Sequence, residues 1–166
     1  SPDYFLPTTA CLLQDRLGLP KACFALDFNQ GCSGFVYGLG VAKGLIETGQ
    51  ARRVLLITAE SYTKYIHPRD KSVRTIFGDA AAATLIEGVA AASDAPRIGP
   101  FVYGTDGSGA KHLIVSSGGT RQPLPEADSP ESGAEDSAPP AGKYLFMNGA
   151  EVFDFALRVV PDAFAA

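Results

Sequence analysis

Residues 22–60 constrain the fold more than any other part of the chain. A short apolar run, Ala22-Cys23-Phe24-Ala25-Leu26-Asp27-Phe28, suits a buried strand, and a nearly continuous apolar strand fills 53–60. Between them, 33–48 carries Phe35, Leu39, Ala42 and Ile46 at helical spacing, and Gly49 closes the pattern. Strand, helix and strand in that order call for a parallel sheet, a right-handed crossover and a helix packed on the sheet. The apolar continuity of 53–60 is the mark of a sheet covered on both faces. The class is α/β.

The turn between the first strand and the helix reads Asp27-Phe28-Asn29-Gln30-Gly31-Cys32-Ser33-Gly34-Phe35. It sets Cys32 at or beside the helix N-terminus, where unpaired backbone N–H groups and the positive end of the helix dipole favour a thiolate. Gly31, Ser33 and Gly34 are small enough for a substrate carbonyl to reach sulfur and backbone together. Cys32 therefore reads as a nucleophile that takes up an acyl group, against the alternative of a buried structural cysteine. Cys11 and Cys23 fall in a helical and a strand pattern and read as inert core. Gly38, Gly40 and Gly44 each cost the helix roughly 1 kcal/mol against alanine. Their return is the close approach of another backbone, as at a tight helix crossing.

Residues 7–17 read as a short helix begun by Pro7 or Thr8, with Ala10, Leu13 and Leu17 on one face and Gly18 and Pro20 as its stop. A polar connection over 61–74 carries His67, Pro68, Arg69, Asp70, Lys71 and Arg74. His67 reads as a loop residue near a pocket mouth. Phe77-Gly78-Asp79 leads into Ala80 to Ile86, small and apolar enough for a central strand. No Gly-rich phosphate loop accompanies Asp79, so it reads as a structural carboxylate at a turn and not as a magnesium ligand. Residues 98–104 and 112–117 read as strands flanking the turn Thr105-Asp106-Gly107-Ser108-Gly109, with His112 at a strand end. The Gly-, Pro-, Ser- and acid-rich stretch 118–142 reads as a surface loop. A helix begins near Asn148 or Gly149, with Val152, Phe155, Ala156 and Val159 on one face.

With 166 residues and 46% hydrophobic content, the chain is long enough for one sizeable core. A net charge of -4, a sequence pI near 5.1 and the lack of a long basic run disfavour nucleic acid and anionic membrane as partners. Apolar stretches are interrupted well short of a bilayer span. Three cysteines, none in a metal-type spacing, suggest a reducing cytoplasm and predict no metal site. No signal peptide pattern opens the chain. It begins in a loop-like stretch and stops in an Ala-rich helical run, so it is expected to be a piece of something longer.

These residues resemble β-ketoacyl-acyl-carrier-protein synthase III of the thiolase superfamily. The resemblance runs from Phe5-Leu6-Pro7-Thr8 through Asn29-Gln30-Gly31-Cys32-Ser33-Gly34-Phe35. It continues over Ile76-Phe77-Gly78-Asp79-Ala80-Ala81-Ala82, Asp106-Gly107-Ser108 and Met147-Asn148-Gly149-Ala150-Glu151-Val152-Phe153. It implies part of a layered α-β-α-β-α fold, with residues 1–166 holding the nucleophile half and the start of the second half, in a homodimer. It implies that Cys32 attacks an acyl-CoA, and that the acyl-enzyme condenses decarboxylatively with malonyl-acyl-carrier protein. The product is a 3-oxoacyl-carrier protein, formed without a cofactor, as in fatty-acid initiation. An activated thiolate and preorganised oxyanion donors suit these steps.

Substrate contact is implied for Leu6, Lys71, Phe77, Met147, Gly149 and Phe153. Lys71 stands where some members place an arginine near the CoA nucleotide, keeping charge but not planar stacking. Leu6 occupies a position from which some members project a phenylalanine into the partner subunit's acyl pocket, and a smaller residue suits a longer or branched primer. Phe77 lines the acyl pocket or packs in the core. Arg69, Lys71 and Arg74 meet phosphates or form a solvated loop. The family's catalytic His and Asn match nothing in this chain, neither His67 nor His112. Two other readings stay open: a relative of secondary metabolism or polysaccharide biosynthesis using another acceptor, and a non-catalytic partner subunit.

Overall fold

In a computed structural model of the chain, residues 1–91, 93–124 and 142–166 are described, and they divide into two compact units. The first comprises Ser1–Ser61 with Ala80–Gly99, the second Tyr62–Asp79 with Pro100–Ala166. The expected surface loop over 118–142 lies mostly outside the described residues.

The first unit contains helix α1 (Thr9–Arg16), helix α2 (Gly34–Glu47), and strands β1 (Arg53–Ser61) and β2 (Asp79–Glu87). Gly18, at φ 64°, takes the left-handed conformation just past α1, as the stop signal predicts. The buried residues of α2 are Gly34, Gly38 and Ala42, a stripe at four-residue spacing. Ala42, Leu56 of β1 and Ile86 of β2 form the core, with Leu39, Ile46, Val54 and Ile98 packed against it. The predicted close approach exists at Gly38, but a side chain makes it. A Cβ there would lie 2.6 Å from Leu56 Cδ1 and 3.2 Å from Phe28 Cζ, whereas one at Gly44 would meet nothing within 4 Å.

The sheet of the first unit is two-stranded. The Gly88 N–H donates to the Arg52 carbonyl at 3.1 Å, and Arg53 at the head of β1 pairs with Glu87 at the tail of β2 at 3.8 Å. The strands therefore run antiparallel. Four expectations are corrected here. Residues 22–28 form no strand, because a strand is a pairing and this run has no ladder partner among the described residues. The parallel β-α-β crossover accordingly does not form around α2. Nor is the sheet covered on both faces or β2 central: in β2 only Ile86 is buried, and Leu55 of β1 is exposed.

Residues 98–104 are not a strand either. The Lys43 ammonium donates to the carbonyls of Ile98 and Gly99 at 3.1 and 3.2 Å, and Pro100 has no N–H to give a ladder. In the second unit, β3 (Leu113–Val115) pairs antiparallel with β4 (Leu145–Met147), Ile114 opposite Phe146. Of the predicted strand over 112–117 only these three residues form. Their partner β4 lay unread in the sequence, since three residues carry too little pattern to register. Ile66, Val73 and Leu145 form this unit's core, flanked by Tyr62, Phe77, Val115 and Met147. Val73 belongs to the one-turn helix α3 (Lys71–Arg74).

Helix α4 (Gly149–Ala165) starts where expected, because Asn148 Oδ1 accepts from the Glu151 N–H at 3.3 Å. Val152 and Ala156 are half-buried, while Phe155 and Val159 on the same face are exposed. Among the described residues no helix is long and apolar enough to cross a membrane.

Candidate active site

Cys32 lies one residue before Ser33, the N-cap of α2, in a turn closed by the Gly34 N–H donating to the Gly31 carbonyl at 2.8 Å. Gln30 Nε2 donates to Ser33 Oγ at 2.9 Å, tying the two flanks of the cysteine together. Ser33 makes no side-chain cap, so its hydroxyl leaves the first turn of α2 to other acceptors. The thiol is free and exposed, and its neighbours Gly31 and Ser33 present little bulk. An exposed thiol beside a helix N-terminus is accessible to an electrophile, and the unpaired N–H groups of a helix start favour an anion there.

Leu6 belongs to the same unit and is 79% exposed. Lys71, Phe77, Met147, Gly149 and Phe153 belong to the second unit. Lys71 opens α3 and is exposed. Phe77 stacks on Tyr62 with ring centroids 5.2 Å apart, and it also lines a depression of about 370 Å³ with Thr63, Ile66, Pro68 and Arg74. The ring thus packs on the core of the second unit, as one of its two readings expects. Met147 ends β4 and packs on the core, Gly149 opens α4, and Phe153 is 65% exposed on α4. A second depression, about 610 Å³, is lined by Ile46, Arg52, Arg53 and Glu87. It lies at the C-terminal end of α2, roughly 20 Å of helix from Cys32, so Cys32 does not line it.

Cys11 and Cys23 are exposed, which corrects their reading as core. No residue of α1 is buried, and Cys23 lies in a bend and not in a strand. His67 is a loop residue, accepting from the Arg69 N–H at 3.2 Å and meeting Tyr144 edge-on at 4.8 Å. Arg74 is turned into its own loop, donating to the Pro68 carbonyl at 2.5 Å.

Three carboxylates prove to be clasps: Asp79, read as a turn carboxylate, Asp106, read within a turn, and Asp70, read within the polar connection. Asp79 accepts from the Thr63 N–H at 2.8 Å and the Thr63 hydroxyl at 2.6 Å. Asp70 accepts from the Ser72 N–H and hydroxyl, and Asp106 does the same from Ser108. In each case the hydroxyl bond, first among the causes, holds the carboxyl below its ordinary value. Sequence reasoning missed Asp27 altogether. Its carboxylate caps α1 from a distance, and only the Asp27-to-Cys32 proximity in the chain hinted at it. Among the described residues no group of three His, Cys, Asp or Glu side chains is placed to hold a metal.

The family model of 3-oxoacyl-[acyl-carrier-protein (ACP)] synthase III matches residues 26–107. A β-ketoacyl-[acyl-carrier-protein] synthase III of Caldanaerobacter subterraneus subsp. tengcongensis is 37% identical over 163 residues, covering 98% of this chain and 45% of that protein. One from Deinococcus deserti is 39% identical over 163 residues, covering 98% of this chain and 42% of its own length. A crystal structure of a 3-oxoacyl-(acyl-carrier-protein) synthase III matches 99% of this chain and 48% of its own, at a TM-score of 0.86 and 54% identity. The α/β, thiolase-like fold read from the sequence is the fold of these structures, and the chain carries part of it. It spans about half the length of the curated relatives it matches. The chain belongs to the 3-oxoacyl-[acyl-carrier-protein] synthase III family.

Proposed function

We propose that the protein carrying this chain is a condensing acyltransferase in which Cys32 is the acyl acceptor. The observation that carries this reading is an exposed thiol in a small-residue turn at the head of α2, within a stretch that the family model matches. In the first half-reaction the Cys32 thiolate attacks the carbonyl carbon of an acyl-CoA. A tetrahedral oxyanion forms, the C–S bond to CoA breaks, and the CoA thiolate leaves carrying the electron pair. Backbone donors at the turn are suited to the oxyanion. In the second, malonyl-acyl-carrier protein loses carbon dioxide, and its carbanion attacks the acyl carbonyl on Cys32. The Cys32–acyl bond breaks, and a 3-oxoacyl-carrier protein departs.

Leu6, Phe77, Met147, Gly149 and Phe153 are assigned to the acyl and pantetheine path, and Lys71 to the CoA nucleotide. Acyl-CoA and acyl-carrier protein are the substrates, with no further cofactor, in a cytoplasmic homodimer that binds neither nucleic acid nor membrane. Residues 1–166 are the nucleophile half of the domain and the start of its second half. Incubation with a panel of acyl-CoAs, followed by peptide mapping, tests the assignment. An acyl mass confined to the Cys32 peptide supports it, and the preferred chain length names the primer. A folded protein that takes up no acyl group from any donor refutes it. Carbon dioxide release from malonyl-acyl-carrier protein then separates condensation from transfer to another acceptor.

A further inference from the structure

We propose that Asp27 is a positioning residue for Cys32, tying the segment that carries the cysteine to the start of α1. Its Oδ2 accepts from the Thr9 N–H at 2.7 Å and its Oδ1 from the Ala10 N–H at 2.9 Å. These are two of the donors that a helix start leaves without intrahelical partners. Thr8, at the N-cap position, makes no side-chain cap bond. The cap comes instead from a carboxylate 18 residues beyond Thr9, and an anion at that end also suits the helix dipole.

The place of Asp27 in the chain makes it more than a cap. Among the described residues, 24–30 take part in no ladder, and Phe24 and Leu26 are 71% and 53% exposed. Phe28, the next residue, turns its ring toward α2, with Cε2 3.8 Å from where a Cβ on Gly34 would stand. Successive residues thus fasten the segment to α1 through Asp27 and to α2 through Phe28. Cys32 follows four residues later, in the turn that the Gly34 N–H closes. Release of Asp27 frees one end of that short span.

This inference rests on Cys32 being the acyl acceptor, and its test keeps the two apart. Amide hydrogen exchange and Cys32 acylation by acyl-CoA are compared for the full chain and its Asp27→Ala and Asp27→Asn variants. Asp27→Ala is expected to speed exchange at Thr9, Ala10 and Gly34. It is also expected to lower the maximal acylation rate, by up to about a hundredfold, without changing the donor concentration for half-maximal rate. Asp27→Asn keeps an acceptor oxygen and falls between. Faster exchange at Thr9 and Ala10 alone, with Gly34 and acylation unchanged, makes Asp27 a helix cap only and overturns the proposal. Should the unsubstituted chain accept no acyl group, the function reading fails. Exchange at Gly34 then decides: faster upholds the ordering of the turn by Asp27, unchanged overturns it. An Asp27→Ala chain that does not fold is replaced by Asp27→Asn, judged by the same criteria.

Discussion

Gly38→Ala isolates the contact on which α2 sits. The added Cβ would stand 2.6 Å from Leu56 Cδ1, 3.0 Å from Cδ2 and 3.2 Å from Phe28 Cζ. Attractive carbon contacts begin near ~3.5 Å, so the nearest pair must open by about 0.9 Å. Phe28 is 41% exposed and can yield, but Leu56 is 7% exposed and packed with Ala42 and Ile86. Overpacking of this kind costs about 1–3 kcal/mol, while replacing a mid-helix glycine by alanine returns up to about 1 kcal/mol. A net loss of about 1–2 kcal/mol is expected, read as a lowered urea midpoint by far-UV circular dichroism with an unchanged slope. Gly44→Ala meets nothing within 4 Å and is the control; it should gain about 0.5–1 kcal/mol. In a Leu56→Ala background, itself costing about 2–5 kcal/mol, Gly38→Ala should become favourable, a coupling within the range of contacting residues. If Gly38→Ala stabilises the chain as much as Gly44→Ala, the steric account of α2 is wrong.

Cys32→Ser should abolish the acyl adduct, yet shift stability by no more than about 0.5 kcal/mol, since the thiol is exposed; a large midpoint shift would show a structural cysteine. Asn148→Ala removes the cap on Glu151 and should cost about 1 kcal/mol, with exchange at the Glu151 amide rising. The carboxyls of Asp70, Asp79 and Asp106 lie below their ordinary value of 3.8 when folded. Their contribution is therefore complete above the unfolded-state value and is lost as pH falls through the lower folded values. Asp70→Asn/Asp79→Asn/Asp106→Asn should flatten that acid limb in urea midpoints measured against pH, leaving the neutral range nearly level. An unchanged acid limb would discount the clasps.

Much of the frame is legible in the residues, because helices carry their own hydrogen bonds. The spacing of Leu39, Ala42 and Ile46 places α2, and Asn148 marks the head of α4. Strands are different, since an apolar run states only what one partner offers. Residues 53–61 and 79–87 find each other, whereas 22–28 and 98–104 find no ladder, the latter surrendering two carbonyls to Lys43. The Cys32 turn is legible as a small-residue break between patterns. The assignment of Cys11 and Cys23 to core failed because periodicity tells which residues share a face and not whether that face is covered. Asp27 was illegible for a similar reason: its partners lie 17 and 18 residues away, and no local spacing announces them.

The three clasps differ in reach, and reach governs how a chain tolerates changes of length. Asp70 and Asp106 grip residues two positions ahead and travel with their own turns. Asp79 grips Thr63 across 16 positions, gathering the span that holds His67, Arg69 and Lys71 at its two ends. Closing a flexible span costs only about 0.6 kcal/mol more for each doubling of its length. Insertions at the exposed Pro68 and Arg69, between the core residues Ile66 and Val73, can therefore lengthen what the span presents while its two ends still meet.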